Sequence, residues 1–261
     1  MKKRFIVAAV ILVAVGIVIF GSAFIASGFV FSKPDIAQCE TNTYTLSDNV
    51  ETIEIQTDEA NITFKPSEDG KVRVDCVEQE KVRHEVSVEN GTLKIIAVDK
   101  RAWYDHLTLL SFTSQSTTVY LPSEHYQALT ISTNTGDVSI PELFSFGGAE
   151  ITASTGDVDF NASSDGNLKI NTGTGHIHIR GISAGALDLF VSTGHVDVRS
   201  VVCAGAVEIA VSTGKATLTD VSCQSVRSAG STGDVTGTLL SPKVFIAHQQ
   251  AYRQFPELWV L

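Results

Sequence analysis

The second half of the chain repeats one short theme six times: Thr135-Gly136-Asp137, Thr155-Gly156-Asp157, Thr174-Gly175-His176, Thr193-Gly194-His195, Thr213-Gly214-Lys215 and Thr232-Gly233-Asp234. The glycines recur every 19 or 20 residues. A fixed period of that size is the signature of a stacked repeat, in which each unit buries its apolar face only against its neighbours. Such a chain is constrained to be a regular shape with a repeating surface before it can be anything else.

The residues around each glycine identify the unit. Two and four places after it stand Val138 and Ile140, Val158 and Phe160, Ile177 and Ile179, Val196 and Val198, Ala216 and Leu218. Seven, five and three places before it stand Leu187, Leu189 and Val191 in one repeat and Val207, Ile209 and Val211 in the next. Alternation of period 2 on both sides of a glycine predicts two short strands meeting at a corner. Gly136, Gly156, Gly175, Gly194, Gly214 and Gly233 suit that corner because glycine takes positive φ without a Cβ clash. Parallel stacking would bury about five aliphatic side chains per coil, each contributing roughly 1.5–3 kcal/mol before chain entropy is charged against it. The expected fold is all-β: a parallel, right-handed β-helix of about 20-residue coils. A twisted sandwich of hairpins is the alternative, but hairpins need no constant period.

Residues 1–31 form a separate unit. Met1-Lys2-Lys3-Arg4 precedes an uncharged, mostly apolar run from Phe5 to Phe31, long enough to span a bilayer. A cleaved signal peptide has a shorter apolar core, and Ala26-Ser27-Gly28, the nearest small-residue site, lies inside the run. A lipoprotein would use Cys39, but Gln38 is large for the position before it. The expectation is an uncleaved transmembrane signal anchor. Its basic start places the N-terminus in the cytoplasm and everything beyond about Ser32 outside a cell membrane crossed once.

The formal net charge is −10, and the exterior is more acidic still once Lys2, Lys3 and Arg4 are set aside. This argues against nucleic-acid binding, which needs a basic footprint. Residues 32–125 lack the Thr-Gly period. Alternating runs at 50–57, 61–65, 71–78, 82–88 and 93–98 are punctuated by turn clusters such as Glu89-Asn90-Gly91. They predict antiparallel hairpins capping the first coil of the 126–247 repeats, since an open solenoid end is an unpaired edge. Residues 248–261 have no period. They read either as a divergent cap or as the product of a truncation or frameshift.

In its order of segments the chain resembles the putative-adhesin β-strand-repeat family, also called domain of unknown function 4097. The residues that carry the resemblance are the Lys-rich start, the single apolar span, Tyr44 and Trp103-Tyr104-Asp105-His106 in the first β region, and the repeats at Ser154–Val158 and Ser231–Val235. The resemblance implies a parallel β-helix and a cell-surface location. It implies no reaction, and the adhesin label is itself an inference from shape.

Stacking should align equivalent positions of successive coils. Asp157, His176 and His195, with Asp159, His178 and Asp197 two places on, then share one outward patch of metal-ligand types. The competing reading is a solvated face, because ligands on a flat ladder diverge. A carbohydrate-active enzyme on the same scaffold would use Asp157, Asp159 and Asp197 with Arg180 and Arg199, yet the repeats lack the long loops that build such sites. Gly214-Lys215-Ala216-Thr217 mimics the end of a phosphate-binding loop but has Ile209 where the upstream glycine belongs. No cofactor and no catalytic residue is expected. Cys203 and Cys223 should stack on adjacent coils, either as a disulfide or as a buried ladder that replaces Ala184. Trp103-Tyr104 reads as a partner-binding or membrane-interface tip, or simply as a loop closing over the sheet end. The outward positions Thr152, Ser154, Lys169, Asn171, Asp188, Phe190, Glu208 and Ala210 are mostly short or polar. The functional expectation is a membrane-anchored extracellular module, structural or binding. Its candidate partners are cell-wall glycan or a surface protein. The enzyme and a component of envelope-stress signalling are the alternatives.

Overall fold

The computed structural model describes residues 39–47, 49–79, 81–101, 115–241, 244–248 and 253–254, together with 12, 13, 15, 16, 18 and 22. These last six are helical. Among the described residues no helix is long and apolar enough to cross a membrane. Most of the expected anchor at 1–31, the Trp103-Tyr104 pair and most of the 248–261 tail lie outside the described residues.

The repeats form a parallel β-solenoid. The corner threonines pair in register from coil to coil, Thr135 with Thr155, Thr174, Thr193, Thr213 and Thr232 in succession. Strands Ser163–Arg180, Ser183–Cys203, Ala206–Ser222 and Ser225–Ser241 run through the corner without a break in the ladder. The alternation sets what points inward. Leu187, Leu189, Val191, Val196 and Val198 of one coil are all at most 1% exposed. They stack on Val207, Ile209, Val211, Ala216 and Leu218 of the next. One continuous core results, running from Val50 to Val226.

The glycine corner has two causes, and the sequence pointed to one of them. Gly136, Gly156, Gly175, Gly194 and Gly214 have φ between 140° and 148°, where side chains are strained. In addition each presses on the coil beneath: a Cβ on Gly156 would lie 2.1 Å from the carbonyl oxygen of Gly136, and one on Gly175 2.0 Å from that of Gly156. Backbone approach this close admits no side chain at all.

Each coil also turns at two further corners. Gly147, Gly166, Gly185 and Gly205 make a second glycine column, with Gly166 so close to the Gly147 carbonyl that a Cβ would sit 2.4 Å away. Gly181, Ser200 and Asp220 make a column of left-handed residues with φ of 67°, 53° and 55°. Their alignment follows from the pairs on either side, Arg180 with Arg199 and Val201 with Val221. Three corners give three faces. The short third face carries the inward residues Tyr126, Phe146, Ser164 and Ala184.

The 32–125 region is mixed, not wholly antiparallel as expected. Strand β1 is Cys39–Leu46, β2 Thr52–Pro66, β3 Val72–Gln79, β4 Val82–Glu89, β5 Thr92–Asp99 and β6 Gln115–Leu121. Strand β2 is itself a solenoid coil, parallel to Ala128–Thr135 and Val138–Ile140, with Glu59 opposite Thr135. It goes unmarked in the sequence because Ala60 stands where the later coils have glycine. Strands β5 and β6 pair parallel to the two arms of β2 on its far side. The antiparallel cap begins only beyond them, with β4 on β5, β3 on β6 and β1 on β3. At the other end, Val244–His248 and Arg253–Gln254 add two more parallel strands to the last Thr-Gly coil.

Candidate functional site

The first face presents straight columns of outward side chains. Glu150, Lys169, Asp188, Glu208 and Arg227 follow one another on successive coils. Lys169 Nζ donates to Glu150 Oε1 at 2.9 Å and Arg227 Nη1 to Glu208 Oε1 at 2.8 Å, so Asp188 lies between two ion pairs. In the adjacent column Asn171, Phe190 and Ala210 are in register. Phe190 is an exposed aromatic among short polar neighbours.

The second face carries the residues expected to ligate metal. The structure brings His176, His178, His195 and Asp197 to one open depression, completed by Arg199 and Lys215. It does not make them converge. Asp157 Oδ1 accepts the main-chain N–H of His176 at 2.7 Å, as Asp137 Oδ1 accepts that of Asp157 at 2.8 Å. These aspartates stitch one coil to the next where the backbone ladder lapses. Where histidine replaces aspartate, the ladder continues and the rings of His176 and His195 stack at 4.9 Å instead. Asp159 pairs in register with His178. Asp197 takes Arg199 Nε at 2.9 Å, with His178 Nδ1 and Arg180 Nη2 at 3.8 and 3.9 Å. The Asp157 and Asp197 carboxylates are therefore committed to stitching and to arginine.

Cys203 and Cys223 each follow the paired residues Val202 and Ser222 on adjacent coils, both buried and both free thiols. Cys203 continues the Ala184 column, since Ala204 N–H donates to Ala184 O at 2.9 Å. Its thiol lies 3.5 Å from the Ala206 carbonyl oxygen. Burial raises the pKa of both thiols.

Among the described residues, the group of metal-ligand types that does converge is elsewhere: Cys76, Glu78 and His84, all buried, each offering an atom within 4.8 Å of the others. Cys76 and Glu78 are inward neighbours on β3, and His84 is the inward residue two places into β4. Glu78 Oε1 accepts the main-chain N–H of His84 and lies 2.9 Å from its ring Nδ1. Asn42 Nδ2 donates to Glu78 Oε2 at 2.5 Å, and Tyr44 Oη donates to the His84 carbonyl oxygen at 3.1 Å. His84 Nε2 is enclosed and without a hydrogen-bond partner. Burial, and next the Glu78 charge, push the Cys76 thiol up to about 12. The sequence signal for this cluster was a carboxylate in an inward position of an alternating strand.

Residues 50–210, more than half of the chain, match the family model described as Toastrack DUF4097. Among functionally curated proteins none matches. Among solved structures, the chain is similar to a putative adhesin from Parabacteroides distasonis ATCC 8503, at 14% identity and a TM-score of 0.47, covering 81% of this chain and 98% of that one. A putative adhesin from Bacteroides fragilis NCTC 9343 aligns at 14% identity and a TM-score of 0.45, covering 80% and 96%. A putative cell adhesion protein from Clostridium sporogenes ATCC 15579 aligns at 9% identity and 0.42, covering 81% and 100%.

Proposed function

The chain belongs to the Toastrack DUF4097 family, and we propose that this protein is a membrane-anchored, extracellular binding module for a repetitive envelope polymer such as cell-wall glycan. The observation that carries the reading is the in-register column Glu150, Lys169, Asp188, Glu208, Arg227 beside Phe190. Parallel coils repeat about every 4.8 Å, so a linear polymer crossing them meets a charged or hydrogen-bonding side chain at every coil. Each contact is weak, and many along one chain add through multivalency. Phe190 offers a flat apolar ring to the C–H face of a sugar, with Asp188 and Glu208 alongside to accept hydroxyl hydrogen bonds. The commitment of Asp157 and Asp197 to other partners favours binding over cleavage. The basic start and the long apolar run to Phe31 support the anchor and its orientation.

The test is retention of the purified exterior on insoluble cell wall at low and moderate salt, with soluble sugar assayed in parallel. Retention without sugar release is expected. It should fall when Asp188, Phe190 and Glu208 are together replaced by Ala while the melting temperature is kept. A wild-type exterior that stays wholly in the supernatant overturns the polymer reading, and released sugar replaces it with an enzyme. Protease added to intact cells should remove the chain beyond about Ser32 and spare the N-terminus; a protected β region overturns the topology.

A further inference from the structure

We propose that Cys76, Glu78 and His84 form a divalent-metal site of the zinc class that ties together the two diverging strands of the N-terminal cap, β3 and β4. Three observations carry it. The three side chains present a thiol, a carboxylate and an imidazole within 4.8 Å of one another, and all three are buried. Sulfur and nitrogen donors suit a borderline-soft ion and disfavour magnesium or calcium, which take oxygen ligands. A divalent cation with one thiolate, one carboxylate and one neutral imidazole sums to zero charge, the condition under which burial is tolerated.

The second observation is the supporting shell. Asn42 holds Glu78 Oε2, the His84 N–H holds Oε1, and Tyr44 holds the His84 carbonyl. These bonds fix both residues from β1 and from the chain itself, as outer-shell partners fix ligands in metal centres. His84 Nε2, buried with no hydrogen-bond partner, is a donor atom without another use. Thr117 Oγ1 donates to Cys76 Sγ at 4.0 Å, an outer-shell contact on the sulfur.

The third observation is the place in the fold. Strands β3 and β4 share a single backbone pair, Gln79 with Val82. They then separate, β3 to join β1 and β6, β4 to join β5. The cluster sits where the hairpin opens, so a metal bonded to Cys76 and Glu78 on one strand and His84 on the other replaces the missing ladder. On binding, a metal–sulfur bond forms as the thiol proton passes to solvent; no oxidant or reductant takes part.

The experiment uses the full chain in detergent, stripped with a chelator and titrated with Co²⁺ and Zn²⁺. One equivalent of Co²⁺ should give a thiolate-to-metal charge-transfer band that Zn²⁺ displaces. The band should be lost in Cys76→Ser, and affinity should fall at least tenfold in His84→Ala and roughly tenfold in Asn42→Ala. It should persist in Cys203→Ser/Cys223→Ser and in His176→Ala/His195→Ala. In wild type, with no substitution needed, Zn²⁺ should raise the melting temperature and slow alkylation of Cys76 measured by peptide mass mapping. A wild-type chain that shows no thiolate band and no zinc-dependent melting shift overturns the proposal, as does a band that survives Cys76→Ser or disappears only with Cys203 and Cys223.

Discussion

Gly214 lies so close against Gly194 that a Cβ on the later residue would stand 1.7 Å from the carbonyl oxygen of the earlier one. The same approach recurs at Gly136, Gly156 and Gly175, and Gly194 itself would place a Cβ 1.8 Å from Gly175 O. The corner is therefore a column of backbone against backbone, and its repetition is a packing requirement as well as a torsional one.

Gly194→Ala should cost about 3 kcal/mol or more, because backbone strain of about 1–3 kcal/mol is joined by a collision that only separation of two coils relieves. Gly181→Ala is the control. Its φ of 67° is also left-handed, but a Cβ there meets nothing within 4 Å, so about 1–2 kcal/mol is expected. Denaturant melts of the two variants decide; equal losses would remove the packing argument.

Ser200 carries a side chain at φ 53° in the column that begins with Gly181. Ser200→Gly should stabilise the fold by roughly 0.5–1 kcal/mol, the relief of left-handed strain less the entropy glycine adds to the unfolded chain. A melting temperature that falls would mean that the corner depends on the serine hydroxyl.

Cys76, Cys203 and Cys223 are buried, whereas Cys39 is partly exposed. Timed alkylation with mass mapping should label Cys39 first and the other three only on unfolding. Without reductant, Cys203 and Cys223 should be recovered free or joined to each other. A bond from either to Cys39 or Cys76 contradicts the register of the coils.

Tyr126 is 1% exposed against Phe146, and its hydroxyl accepts the Ser123 N–H at 3.2 Å. Burial raises its pKa above the ordinary 10.0. With the folded value the higher, the unfolded chain ionises first. The stabilising difference is complete below pH 10.0 and is lost as pH climbs through the folded value. Stability should thus fall on the alkaline side, and Tyr126→Phe should flatten that limb. An unchanged slope would assign the loss to other groups.

The period of the Thr-Gly theme and the alternation around it determined the parallel coils, their register and the inward columns such as Leu187 and Leu189 beneath Val207 and Ile209. This much was legible because stacking repeats one local rule, and a local rule leaves a periodic trace. The coil formed by β2 was not legible, since Ala60 interrupts the trace while long-range pairing with Thr135 and its neighbours completes the stack. The left-handed column was hidden for a related reason: Gly181, Ser200 and Asp220 differ in type, and only the fold shows that they align; Gly147, Gly166, Gly185 and Gly205 do recur every 19 or 20 residues, but only the fold shows that they form a second corner. Sequence placed Asp157, His176, His195 and Asp197 on one patch but could not say how each would be used. That depended on whether a carboxylate met a backbone N–H or an arginine across a coil, which is a matter of ångströms. The Cys76, Glu78 and His84 cluster lies furthest from sequence reach. Two of its members share a strand, but the third arrives by a hairpin whose arms part after one pair, and only the tertiary structure decides where those arms go.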